Sequence, residues 1–224
     1  MKMPRHSVVR AIVVAAALTR AATAAAQETV QPGAQAAPST TESAAAWSFD
    51  FSGAMYLLPE DEDFVQPTIK ADRGLLHLES RYNYEDRESV SFFGGVNFEM
   101  GDRVSLTLTP MFGGLVGQTD AVIPALEADL TIGPFEAYAE AEYVFDLAES
   151  DSKFFYMWSE LSVAPTEWLR AGLVTQRTRV YQAERDIQRG LLVGTSLGRF
   201  QGTVYFFNPG NDDHFTVVSI GVSF

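Results

Sequence analysis

The sequence predicts an all-β protein: an antiparallel up-and-down β-barrel of about twelve strands that crosses a membrane. Three observations predict it. Apolar and polar residues alternate with period two through most of residues 47–224, which places one set on each face of a strand. Nearly every alternating run is 9–11 residues long, the length of a tilted strand crossing a bilayer, whereas soluble strands are more often five or six. The connections alternate between tight turns and longer loops, as they do when strands run up and down between two rims.

The chain starts with a basic stretch containing Lys2, Arg5, His6 and Arg10, followed by the short apolar run AIVVAAAL (11–18) and the small residues AATAAA before Gln27. This is the pattern of a secretory signal peptide, expected to span residues 1–26. Its apolar run is far shorter than the roughly 20 residues of a spanning helix. Cysteine is absent, which excludes disulfides and a lipidated cysteine. Loss of residues 1–26 removes four bases and no acid, leaving 12 bases against 29 acids, a net charge of −17. Such a chain is not expected to bind nucleic acid. Residues 27–46 are rich in Ala, Pro, Ser, Thr and Gln without periodicity and read as a flexible periplasmic linker. The folded unit is expected over 47–224.

The strands are justified in order by their parity. WSFDFSGAMYL (47–57) puts Trp47, Phe49, Phe51, Met55 and Leu57 on one face. FVQPTIKA (64–71) is a shorter strand, entered after PEDED and left through a DRG turn (72–74). LLHLESRYNYE (75–85) sets Leu76, Leu78, Tyr82 and Tyr84 against His77, Glu79, Arg81 and Asn83. SVSFFGGVNFEM (89–100) gives Phe92, Val96 and Phe98, and RVSLTLTPMF (103–112) gives Val104, Leu106, Leu108 and Phe112. ALEADLTIG (125–133) and FEAYAEAEYVF (135–145) set apolar residues against Glu127 and Asp129, then Glu136, Glu140 and Glu142. FFYMWSELSV (154–163), EWLRAGLVTQ (167–176), GLLVGTSLG (190–198) and FQGTVYFF (200–207) continue less cleanly. HFTVVSIGVSF (214–224) closes the chain with Thr216, Val218, Ile220, Val222 and Phe224 on one face.

Tight turns are expected at 101–102, 133–134, 164–166 and 198–199, and longer loops at 113–124, 146–152, 178–188 and 208–213. Counting 64–71 as a strand gives twelve and returns both ends to one rim; ten and fourteen are the alternatives. Pro67 and Pro110 lie inside proposed strands. Lacking an N–H, each should mark a bulge or the end of ladder pairing near the loop rim.

An N-terminal signal, alternating strands throughout and a terminal SIGVSF ending in Phe224 resemble bacterial outer-membrane β-barrels of the porin-like kind. The resemblance implies insertion in the outer membrane after export. It also implies recognition of a terminal signal (Val218, Ile220, Val222, Phe224) by the barrel-assembly machinery, with periplasmic chaperones and outer-membrane lipid as further partners. The position expected to hold a further aromatic is Thr216 here. The resemblance concerns architecture and place and names no solute.

The apolar parity is expected to meet lipid, because charges at the midplane cost kilocalories. Its aromatics gather at strand ends and read as two girdles. Trp47, Phe49, Phe98, Phe135, Trp168, Phe200 and Phe224 mark the turn rim. Tyr82, Tyr84, Phe92, Phe112, Tyr143, Phe145, Phe155 and Phe206 mark the loop rim. The inward parity is expected to line a narrow lumen with nine acids (Asp50, Glu79, Glu99, Glu127, Asp129, Glu136, Glu140, Glu142, Glu160) and four bases (Lys70, Arg81, Arg103, Arg170), together with His77. Twelve strands enclose less than a sixteen-stranded porin. An acidic tube of this width favours small solutes and cations. The alternative is a closed body in which acids and arginines neutralise one another.

Four features bear on an enzymatic reading. His77 sits beside Glu79, which suits a proton acceptor oriented by a carboxylate; a polar lumen residue in a salt-bridge network accounts for it better. The triplet Asp212–Asp213–His214 at a loop resembles the rim chemistry of omptin-type proteases. No His-x-Ser sequence occurs, the pairing by which outer-membrane phospholipases and lipid deacylases resemble one another. Glu140 and Glu142 share a face and read as an acidic wall rather than a metal site. No cofactor or metal is expected. The sequence therefore supports a narrow, acidic-lined, cation-preferring channel or uptake pore, with a rim enzyme or a closed structural barrel as alternatives.

Overall fold

The computed structural model describes residues 46–59, 61–101, 103–148, 153–180 and 186–224. The expected signal peptide (1–26) and linker (27–46) lie outside the described residues, apart from Ala46. The strands are β1 (Ser48–Leu57), β2 (Phe64–Arg73), β3 (Leu76–Tyr82), β4 (Val90–Val96), β5 (Phe98–Met100), β6 (Val104–Val116), β7 (Ala121–Ile132), β8 (Phe135–Asp146), β9 (Phe154–Thr166), β10 (Leu169–Val180), β11 (Asp186–Leu197), β12 (Phe200–Phe207) and β13 (Phe215–Ser223). Each pairs antiparallel with its sequence neighbours, β4 and β5 both pair with β6, and β1 pairs with β13. The sheet closes on itself, which removes every edge. β4 and β5 hold one register against β6, from Val90↔Val116 through Phe98↔Leu108, so they form a single barrel strand and the barrel has twelve.

Pro110 explains the break between β4 and β5. It stands opposite Val96, where the ladder lapses and resumes without a shift. The missing N–H costs a local pairing in mid-wall rather than near the loop rim. Pro67 does lie near that rim: pairing of β2 with β3 stops at Thr68↔Arg81. Beyond it, the Gln66 Nε2 donates to the Asn83 carbonyl at 2.7 Å and the Asn83 Nδ2 to the Val65 carbonyl at 3.1 Å.

Two expected loops are shorter than the sequence suggests. β6 runs to Val116 and β7 starts at Ala121; β10 reaches Val180 and β11 starts at Asp186. Gly113 and Gly114 look like loop residues but lie within β6. At Gly113 a Cβ would come within 2.4 Å of the Phe93 ring, its cross-strand partner, so the glycine makes room for an aromatic that fills the interior. The turn expected at 164–166 is also displaced, because β9 continues to Thr166.

The outward parity forms a largely apolar surface. The seven turn-rim aromatics are exposed, as are Tyr82, Phe92, Phe112, Phe145 and Phe206 toward the loops. Tyr143 and Phe155 are half-buried, and Tyr84 is buried. Asn83, directly after β3, has φ 54°, a left-handed turn that ends the alternation. Parity stops predicting direction there, and Tyr84 points into the lumen instead of the girdle.

The part of the interior nearer the loop rim is filled. There Tyr56, Trp158, Phe207 and Val217 are fully buried and pack with Tyr84, Tyr156, Leu192, Tyr205 and Phe215. Phe207 stacks on Phe215 with centroids 4.6 Å apart, and Trp158 meets Tyr205 edge-on at 5.2 Å. The aromatic signal thus has two destinations. Trp158 and Tyr205 share parity with Glu160 and Thr203, which face inward.

Candidate functional site: a charged partition across the lumen

The site centres on Arg81, whose side chain is wholly buried. Its position in β3 aims it inward, between Glu79 on the same strand and a set of acids four strands round the wall. Nε donates to the Glu79 Oε1 at 2.8 Å. Nη1 lies 2.6 Å from the Glu140 Oε1 and also contacts Glu142, both on β8. Nη2 is 3.6 Å from the Glu127 Oε1 on β7, and Nη1 is 3.6 Å from the Glu85 Oε1 in the loop after β3. The guanidinium lies over two rings, with Tyr84 4.2 Å and Phe93 4.6 Å from centroid to Cζ. A planar, always-charged fork suits such a junction better than an ammonium.

Lys70 on β2 extends the partition. Its Nζ is 2.7 Å from the Glu127 Oε1 and 3.7 Å from the Glu79 Oε2. His77 sits between Asp72 (2.8 Å) and Glu79 (3.4 Å). Tyr84 and Tyr138 both donate to the Glu140 Oε2 at 2.9 Å. The Glu85 Oε1 accepts from Ser91 at 2.8 Å, while its Oε2 is buried without a hydrogen-bond partner. Burial pushes the Glu85 carboxyl up to about 7, against the pull of Arg81. Five buried carboxylates therefore surround two buried bases, with His77 at the margin.

A second, smaller cluster stands nearer the turn rim. The Glu160 Oε2 accepts from the Arg170 Nη1 at 2.7 Å, and its Oε1 from the Trp158 Nε1 at 2.9 Å and the Tyr205 hydroxyl at 2.8 Å. Gly194, paired with Arg170 across β10 and β11, leaves the space the guanidinium occupies: a Cβ there would be 2.8 Å from the Arg170 Nε. Below this cluster a cavity of about 1180 Å³, with Glu136, Tyr138, Glu160 and Arg170 among its lining residues, runs to the turn rim.

Lys70, His77, Glu79, Arg81, Glu127, Glu140, Glu142 and Glu160 are thus brought together in the interior. Asp50, Asp129, Glu136 and Arg170 are half-buried on the same parity nearer the turn rim. Glu99 is exposed in the middle of the short β5, and Arg103 is exposed in the turn before β6. The sequence reading missed Asp72, Glu85, Tyr138, Trp158 and Tyr205; Tyr138 and Trp158 share parity with neighbouring acids and Tyr205 with Gln201 and Thr203, and that parity was the available signal. His77, Glu79 and Glu127 offer three ligand atoms within 4.8 Å of one another, but the Lys70 ammonium already supplies a positive charge between the two carboxylates. At the loop rim His214 Nδ1 lies 2.8 Å from the Asn211 carbonyl, and Asp213 accepts from Asn208 at 2.9 Å, so these polar groups serve the turn itself.

Closed, antiparallel and twelve-stranded, with an apolar exterior and a polar interior, the chain is a porin-like barrel. Among solved structures it is similar to the KdgM porin at 12% identity, with a TM-score of 0.52, covering 79% of this chain and 98% of that one. The same porin in complex with disordered oligogalacturonate matches equally. The OccK5 protein of Pseudomonas aeruginosa gives a TM-score of 0.43 at 8% identity, over 80% of this chain and 66% of that one. No protein-family model and no curated protein matches the sequence.

Proposed function

We propose that this protein is an outer-membrane barrel serving as a narrow channel for small neutral or cationic solutes, with cation preference set by the partition around Arg81. The observation that carries this reading is the imbalance of buried ionisable groups: the carboxyls of Glu79, Glu85, Glu127, Glu140 and Glu142 against the bases Lys70 and Arg81. Burying ions costs several kcal/mol each, and an apolar filling is often the more stable one. A barrel that keeps excess carboxylates inside therefore has a use for a negative interior. The fold it shares with a porin and the apolar exterior support a membrane channel. The KdgM porin has been seen with an oligogalacturonate, a carboxylate-bearing sugar; the acid-rich interior here argues for a different cargo.

In this reading residues 1–26 direct export and are removed, 27–46 tether the barrel on its periplasmic side, and Phe224 closes the assembly signal. Reversal potentials across a salt gradient in a planar bilayer test the channel. A small cation-selective conductance is expected, and Glu140→Gln with Glu142→Gln should move selectivity toward anions. Anion preference in the unmodified protein would overturn the reading. A second reading, a closed structural barrel, draws on the complete burial of Trp158, Tyr56, Phe207 and Val217; it requires no conductance in either protein.

A further inference from the structure

Across the strands, positions sharing parity with the exposed apolar residues hold four charged residues, and all four are arginines: Arg73, Arg177, Arg179 and Arg189. Arg73 stands at the turn rim, 5.7 Å from the Trp47 ring. The other three occupy one place, the loop-rim third of the β10–β11 ladder. Arg177 pairs with Ile187 and Arg189 with Thr175, so the two are diagonal neighbours on one face, with Cβ atoms within about 8 Å.

An outward arginine is costly at the midplane and tolerated only near an interface. Here two converge, which adds like-charge repulsion unless an anion lies between them. Neither forms an ion pair with another described residue. The Arg177 guanidinium lies 5.5 Å from the Phe155 ring centroid, and its Nε is buried without a hydrogen-bond partner among the described residues. Among the described residues no outward strand position carries an acid, although acids outnumber bases by 29 to 16 in the chain. Directly toward the turn rim the same face presents Leu173, Leu191 and Val193, each more than half exposed. Paired guanidiniums above an apolar slope match a phosphate head group above acyl chains.

We infer that Arg177 and Arg189 bind a phosphate of a lipopolysaccharide-type lipid, whose acyl chains lie over Leu173, Leu191 and Val193. The inference rests on the outer-membrane reading, which makes the loop rim the outer leaflet.

The test uses the purified full chain folded in zwitterionic detergent, titrated with deep-rough lipopolysaccharide and followed by native mass spectrometry. The unmodified protein should retain the lipid, and the same lipid stripped of its phosphates should bind at least tenfold more weakly. Arg177→Gln and Arg189→Gln should each weaken binding about fivefold, while Arg73→Gln leaves it unchanged. Equal retention by the double variant, or equal binding of the dephosphorylated lipid, would overturn the inference. The dephosphorylated lipid needs no variant, so the test survives a double variant that fails to fold. Membrane fractionation reports separately on the outer-membrane reading, so the two can fail independently.

Discussion

Replacing Arg81 with methionine tests the partition directly. The change keeps length and apolar bulk and removes the one group that touches Glu79, Glu140 and Glu142 at hydrogen-bond range. Two unit charges 4 Å apart interact by about 4 kcal/mol at an effective dielectric near 20. Removing one partner of a buried ion pair costs about 3–5 kcal/mol, because the other charge stays buried and unpaired. Lys70 remains for Glu127 and Glu79, and Tyr84 and Tyr138 remain for Glu140. The net loss should therefore sit at the lower end, about 3 kcal/mol. Urea unfolding in phospholipid vesicles, read by tryptophan fluorescence, measures it. Adding Glu140→Gln and Glu142→Gln to Arg81→Met removes the stranded charges and should restore most of the loss. A methionine variant within about 1 kcal/mol of the parent would refute the electrostatic account. A triple variant no better than the single one would show that packing against Tyr84 and Phe93 matters instead.

Deleting Phe224 should lower outer-membrane levels while export continues, since its backbone exchanges two hydrogen bonds with Phe49 (2.8 and 2.9 Å) at the closing seam; unchanged surface levels by quantitative fractionation would count against the terminal signal. Glu85 contributes a pH dependence: its folded carboxyl is raised by burial to about 7, so its proton stabilises the fold below about pH 4.5 and this contribution fades as pH rises through 7. Glu85→Gln should flatten that loss, on the order of 2 kcal/mol, in unfolding measured between pH 5 and 8. Gly113→Val should destabilise the barrel by about 1–3 kcal/mol, because the new Cβ would meet the Phe93 ring at 2.4 Å; a variant of parental stability would show that the ring has room to move.

The wall of this barrel was legible in the sequence because a strand is a local object. Period two decides which side chains share a face, and a chain that must satisfy its backbone in lipid has no choice but to close. Lys70, His77, Glu79 and Arg81 could be assigned inward from parity alone. Their partners could not. Parity gives a side but no azimuth, and Arg81 meets Glu140 and Glu142 only because β8 stands four strands round the ring from β3. That distance depends on strand number and register, which are properties of the closed sheet. Tyr84 marks the other limit: one left-handed residue at Asn83 ends the alternation, and its ring turns from the expected girdle to stack on Arg81. Trp158 and Tyr205 stand on the inward parity of their strands, but only closure of the sheet brings both to one carboxylate, Glu160. The sequence by itself determined an antiparallel barrel of about twelve strands and which face of most strands turns inward; closure fixed the count at twelve. The tertiary structure decided which charges meet across the lumen, because side chains that cross a barrel interact through space that no local pattern describes.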